Sequence, residues 1–249
     1  MNDWFKKEEF WSDFGPVMFN QTRLEATAVE VEQLIALVSL QRGARVLDLP
    51  CGMGRYTLEL ARRGMEVTAV DLTESYLDNG KEQARIDELE VEFLRADMRD
   101  FRRESTFDAA VNLFTSFGYF EDRADDQRML DNFYYSLRPG GVLVMEMFGK
   151  EIAARVFVER VWSEEPDGTL LLEERSLKDG WSRIENRWIL VKNGVQKEYR
   201  FELRIYGAAE LGMMLEQAGF CDVEFFGNLE GKPYDQQAER LVAVARKRQ

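Results

Sequence analysis

Arg45-Val-Leu-Asp-Leu-Pro-Cys-Gly-Met-Gly-Arg55 joins a short apolar run to two closely spaced glycines and then to a helix-forming stretch. It predicts a strand over Arg45–Leu49, a tight loop over Asp48–Gly54, and a helix over Arg55–Arg63 stopped by Gly64. The same alternation continues on the C-terminal side. Strands are expected at Glu66–Val70, Val91–Arg95, Phe107–Asn112 and Gly141–Met147, with helices at Glu74–Ile86 and Asp125–Leu137. Repeated strand-helix units imply a mostly parallel sheet covered on both faces, an α/β doubly wound core over residues 41–150.

On the N-terminal side, Asn2–Thr22 is rich in aromatics and carries Gly15-Pro16, so residues 1–40 read as an irregular arm or short helices followed by a helix over Arg23–Leu40. Beyond the core the period shortens. Leu170–Ser176, Ser182–Val191 and Tyr199–Ile205 alternate in polarity between Asp167-Gly168, Asp179-Gly180 and Asn193-Gly194, which are hairpin signals. Residues 151–206 are therefore expected to form an inserted antiparallel β meander of three or four strands, a candidate substrate lid. Residues 207–249 return to the core with a helix at Ala208–Ala218 and strands at Asp222–Phe226 and Arg240–Arg246.

Composition excludes whole classes of chemistry. The chain of 249 residues has no histidine, which removes Ser-His-Asp and Cys-His nucleophile systems and every histidine-ligated metal motif. Cys51 and Cys221 are the only thiols, too few for a disulfide framework or a four-cysteine zinc site, so no metal is expected. A net charge of −13 repels a long polyanion, so nucleic acid is not an expected partner. No stretch approaches the roughly 18 to 20 apolar residues that span a bilayer, and the N-terminus lacks a secretory pattern. A cytoplasmic protein without membrane partners is the expectation, as a monomer or a homodimer.

In open α/β sheets ligands bind beyond the carboxyl ends of the strands. The Asp48–Gly54 loop lies at such an end, and its glycines let a ligand approach the backbone, as a dinucleotide or another nucleoside would. Two residues discriminate. Thr57 occupies the position of the third glycine of a dinucleotide fingerprint, and Asp48 would repel a pyrophosphate. A ligand with an amino group, a sulfonium and no phosphate, such as S-adenosylmethionine, tolerates that acid. Asp71, 17 residues beyond Gly54 (71 minus 54), ends the second strand, where a carboxylate accepts from both ribose hydroxyls. Asp97 ends the third and is placed to accept from an adenine amino group, with Leu72 and Met98 as apolar faces for the ring.

Val46–Arg55, Val67–Leu72, Ala96-Asp-Met98, Phe107–Phe114 and Leu137–Val144 together resemble the ordered motifs of class I S-adenosylmethionine-dependent methyltransferases of the small-molecule type. The resemblance spans roughly residues 40 to 150, with a weaker likeness at Ala208–Phe220. It implies a Rossmann-like seven-stranded sheet ending in an antiparallel hairpin, with S-adenosylmethionine as cofactor. On the matching positions it implies cofactor contacts by Asp48, Pro50, Cys51, Gly52, Gly54, Asp71, Leu72, Asp97, Met98, Asn112, Leu113 and Phe114. Pro50 stands where the family has its first loop glycine.

The methyl acceptor is expected where Asn112–Phe120 leaves the fourth strand. That segment lacks the Asp/Asn-Pro-Pro-aromatic sequence used on nucleic-acid bases, and Phe114, Phe117 and Tyr119 are placed to wall a small pocket. Arg204-Ile-Tyr206 resembles a position that faces the acceptor in small-molecule members. Tyr119, Tyr206 and Arg204 are the candidate catalytic residues, with Glu146 and Asp97 as further candidate bases. Trp11, Phe14 and Phe19 of the arm are candidates to close over the cofactor. In-line transfer to a small amine or hydroxyl acceptor is the expected activity. A catalytically silent binding module acting through a protein partner, and a dinucleotide oxidoreductase, are the alternatives.

Overall fold

The computed structural model describes residues 3–249; Asn2, at the start of the expected arm, lies outside them. Buried apolar runs set the sheet. β1 (Arg45–Asp48), β2 (Glu66–Asp71), β3 (Val91–Arg95), β4 (Phe107–Asn112) and β5 (Leu137–Met147) pair in parallel in the order β5-β4-β1-β2-β3. Val46, Leu47, Ala69, Val70, Ala110 and Leu143 are almost wholly buried, as strands covered on both faces require. β10 (Cys221–Phe226) and β11 (Leu241–Arg246) extend the sheet beyond β5, and β11 runs antiparallel to both its neighbours. The result is the expected seven-stranded Rossmann-like sheet. Strand order reverses between β1 and β4, which opens a crevice at their carboxyl ends.

Helices α3 (Arg55–Arg62), α4 (Glu74–Ile86), α5 (Arg123–Ser136) and α7 (Ala208–Gln217) cover the sheet with α2 (Gln21–Val38). Asn20 and Asp122 cap α2 and α5 by accepting from the backbone N–H of Arg23 and Ala124. The meander is a separate four-stranded sheet in the order β6 (Arg160–Glu164), β7 (Leu170–Lys178), β8 (Arg183–Lys192), β9 (Val195–Arg204). Its last hairpin turns on Asn193-Gly194, with φ of 50° and 77°, the left-handed pair that a two-residue turn needs.

Three local expectations are corrected. Gly15-Pro16 does not break the arm: a single helix, α1 (Glu8–Met18), runs through both. Pro16 falls near the helix end, while Phe10 and Phe14 are buried against Trp188, Tyr199 and Phe201 of the meander, so tertiary packing overrides the breaker. Gly15 marks a close approach instead, since a Cβ there would stand 3.3 Å from the Tyr76 hydroxyl of α4. Leu137 starts β5 rather than ending α5, because it pairs with Phe107. Residues 151–206 also hold more than strands, since α6 (Lys150–Val156) precedes β6, whose five residues are all exposed.

Candidate active site

The loop after β1 is tied down by carboxylates. Asp48 is buried and accepts from the Thr57 hydroxyl at 2.5 Å, so the residue in place of a third glycine has a structural task. Burial, with Asp71 nearby adding to it, pushes the Asp48 carboxyl up to about 7 against the opposing Thr57 hydrogen bond. Asp71 accepts from the backbone N–H of Gly52 and of Thr73, each at 2.8 Å, and so clamps the loop to the end of β2. Burial raises its pKa, opposed by those N–H groups. An ionised carboxylate offers about four lone-pair sites, so Asp71 keeps capacity for two hydroxyl donors. Gly52 has φ +56°, and the Phe19 ring of the arm lies 3.1 Å from where its Cβ would be. Pro50 follows a cis peptide bond. Burial pushes the Cys51 thiol well up, which leaves it an inert packing group.

These residues border a cavity of about 610 Å³ at the carboxyl ends of β1, β2 and β4. Asp48, Pro50, Cys51, Gly52, Asp71, Leu72, Asp97, Met98, Leu113 and Phe114 all line it. Gly54 and Asn112 do not. Gly54 is the N-cap of α3 with φ 83°, and Asn112 is buried, donating to the carbonyls of Leu49 and Ser116 at 2.9 and 3.3 Å. Both act on the loops around the cavity rather than on its contents. Asp97 has both oxygens engaged by Arg99, whose backbone N–H also donates to it at 3.0 Å. Arg99 grips it with Nε at 3.0 Å and Nη2 at 2.6 Å, and although partial burial works to raise its pKa, these hydrogen bonds lower it.

The other end of the same cavity is walled by Phe114, Phe117, Tyr119, Arg204 and Tyr206. Phe114 and Thr115 both hold left-handed backbone, at φ 61° and 57°, and the Phe114 N–H donates to buried Glu146 at 2.7 Å. Non-glycine residues in that region are strained, and a buried acid holding the turn explains how it persists. Tyr206 donates to buried Asp126 at 2.7 Å, and burial lifts Asp126 to about 6 against that bond. Burial also lifts Tyr119 to about 12, so its phenol is protonated at neutral pH. Arg204 donates from Nη2 to the Glu121 carbonyl at 2.9 Å. A Cβ on Gly118 would collide with the Arg204 carbonyl, so only glycine lets the end of β9 meet this loop.

Helix α1 and the meander roof the cavity. Trp4 lies 4.9 Å from Tyr119 and 4.8 Å from Phe201 between ring centroids, and Tyr76 donates to the Trp11 carbonyl at 2.7 Å. Trp11 and Phe19 line the cavity as expected, whereas Phe14 sits behind the roof. Sequence reasoning missed several lining residues: Arg23, Arg55, Tyr76, Arg175, Asn186, Trp188 and Arg240. Asn186 was detectable in principle, as a buried polar residue at an inward position of β8. Arg23 carried no such signal, since its place in α2 says nothing of what faces it. Among the described residues no cluster of three or more histidine, cysteine or acidic side chains could hold a metal, and no helix is long and apolar enough to cross a membrane.

Known proteins share this fold. Residues 46–141 match the family model of a methyltransferase domain. The Bacillus subtilis "Putative methyltransferase YqeM" is 28% identical over 215 residues, covering 84% of this chain and 86% of that protein. An S-adenosylmethionine-dependent methyltransferase structure from Clostridium acetobutylicum superimposes with a TM-score of 0.81 at 16% identity, covering 97% and 98% of the two chains. The sugar N-methyltransferase KedS8 of Streptoalloteichus sp does so with a TM-score of 0.68 at 21% identity, covering 90% and 88%. The two structural likenesses carry the fold, while the domain match carries the motifs that surround the Asp48 and Asp71 clamp. Motifs, clamp, strand order and domain match agree: residues 46–141 are similar to a methyltransferase domain, the chain is an S-adenosylmethionine-dependent methyltransferase, and S-adenosylmethionine is its cofactor.

Proposed function

We propose that the chain methylates a small molecule, an amine in preference to a hydroxyl, held in the aromatic end of the cavity beside the cofactor. The observation that carries this reading is that both ends belong to one roofed space of about 610 Å³, within the usual range for small-molecule sites. Asp71 receives the ribose hydroxyls, Leu72 and Met98 sandwich the adenine and Asp97 accepts from its amino group. Asp48, ionised by the approach of a cation, faces the amino acid portion. Residues 151–206 serve as the lid that shapes the acceptor end. KedS8, named as a sugar N-methyltransferase, has the same fold, which is consistent with this assignment.

Bound S-adenosylmethionine supplies a methyl group on a sulfonium, from which a neutral thioether leaves. What the protein must add is alignment and exclusion of water, which together are worth on the order of 7 to 11 kcal/mol of a barrier. Phe114, Phe117 and Tyr119 align the acceptor, and the arm and meander close the space above it. A hydroxyl acceptor needs a base as it reacts. Tyr119 and Tyr206 are both held protonated, Asp126 stands behind Tyr206, and no histidine exists. An amine acceptor sheds its proton to water afterwards and needs none of these.

The test is a screen of pooled small amines and phenols with methyl-labelled S-adenosylmethionine, read by mass. Label appearing in a small amine, with matching S-adenosylhomocysteine, is the expected result. Label appearing only in RNA or protein, or in none of the pools, contradicts the proposal.

A further inference from the structure

Besides Arg204, four arginines line the cavity, Arg23, Arg55, Arg175 and Arg240, in a chain whose net charge is −13. Arg23 and Arg55 each place their guanidinium carbon 5.0 Å from the centre of the Phe114 ring. Arg240 reaches the same turn through Glu146, which forms an ion pair with Arg240 Nε at 2.8 Å and accepts from the Phe114 N–H. Arg175 enters from β7. Three of the four are matched by acids: Arg55 by Glu30 at 2.8 Å, Arg240 by Glu146, and Arg175 by Glu173.

Arg23 is different. Among the described residues no carboxylate pairs with it, and its hydrogen bonds run from Nη1 alone to the carbonyls of Val17 and Met18, at 3.1 and 2.9 Å. Nε and Nη2 have no protein partner among those residues, which leaves one edge of the planar fork free. Such an edge matches a carboxylate or phosphate with two parallel N–H donors. Partial burial and the neighbouring charges of Arg55 and Arg240 depress its pKa, and the more distant charges of Glu165 and Glu173 offset this only in part. A guanidinium kept there with no carboxylate in direct contact, beside the aromatic wall where the acceptor lies, is explained by an anion that arrives with the ligand.

We infer that the methyl acceptor carries an anionic group, a carboxylate or a phosphate, which the free edge of Arg23 binds, with Arg175 of β7 lining the same cavity. The inference rests on the small-molecule reading above. It makes Arg23 a specificity-determining residue and excludes purely cationic amines as the preferred class. The acceptor is an aromatic or otherwise apolar body that bears both a nucleophilic amine and an anion.

Benzoate, phenyl phosphate, benzamide and benzylamine, each titrated into the protein saturated with S-adenosylhomocysteine, test this by calorimetry. At least one of the two anions binds tenfold or more tighter than neutral benzamide, benzylamine binds weakest, and the stronger anion tells carboxylate from phosphate. Arg23→Gln removes that preference while benzamide affinity stays within twofold, and Arg23→Lys restores part of it. Arg175→Gln, independent of the α1–α2 junction, weakens the preferred anion severalfold and serves if Arg23→Gln misfolds. Equal binding of anions and benzamide, or an anion preference that survives Arg23→Gln, overturns the inference while leaving the small-molecule reading intact. Binding of none of the four probes by the cofactor-loaded protein overturns both.

Discussion

One cavity has two ends built by different means. The cofactor end is made of loops at the carboxyl ends of β1 and β2, closed on themselves by Asp71 on Gly52 and Thr73 and by Asp48 on Thr57. Its residues, Asp48 to Met98, lie at the ends of three strands consecutive in sequence, β1, β2 and β3. The acceptor end is assembled from α1, α2, the turn after β4, and β7 to β9, elements far apart in sequence that meet through aromatic rings. The contrast teaches where each property resides. Under the function proposed above, cofactor binding is written into backbone and carboxylates, whereas acceptor choice rests on side chains that can change without disturbing the sheet.

Breaking the aromatic junction should have the largest effect on stability. Phe14 is fully buried between Phe10, Trp188 and Tyr199, and Phe14→Ala is expected to cost about 3 to 5 kcal/mol in chemical denaturation. If the two ends are built independently, the residual folded protein still binds S-adenosylhomocysteine. Loss of cofactor binding in folded Phe14→Ala would merge the two regions into one.

The cofactor end is sharpened by pH. Asp48 titrates near 7 in the folded chain against 3.8 as a free side chain, so the folded state retains its proton between those values. This group therefore takes stability from the free protein as pH rises from about 4 to 7. A ligand with a cationic amino group favours the ionised form. Cofactor affinity should rise about tenfold between pH 6 and 8 from this group, the ratio of ionised fractions around a pKa of 7. Calorimetry on Asp48→Asn should show a flatter profile; an unchanged slope would remove Asp48 from the cofactor's surroundings.

The smallest effect is expected at Tyr119. With its phenol held near 12, it supplies shape rather than a base, and Tyr119→Phe should leave kcat for an amine acceptor within about threefold. A loss of 10²-fold or more, the scale of general-base catalysis, would assign it proton transfer instead.

The same division governed what could be read from sequence. Val46-Leu47, Val67–Val70 and Ala109–Val111 form strands because their apolar runs are locally decisive, and Asn193-Gly194 turns because its left-handed backbone is a local preference. The carboxylates at strand ends were legible for the same reason. The arm was not, because Gly15-Pro16 is a local breaker overruled by contacts with residues some 180 positions away. β6 escaped because an exposed edge strand has no alternation to detect. Arg23 and Arg240 look like ordinary surface cations until the fold brings both to the Phe114 turn.

The most direct test of the account is calorimetric titration of S-adenosylhomocysteine into the wild-type protein and Asp71→Ala. Each charge-assisted hydrogen bond that Asp71 makes to a ligand contributes roughly 1.5 to 3 kcal/mol, so affinity should fall by about one to two orders of magnitude in a variant whose fold is confirmed by its circular dichroism. Equal affinity in the folded variant would contradict the assignment of this cavity to the cofactor.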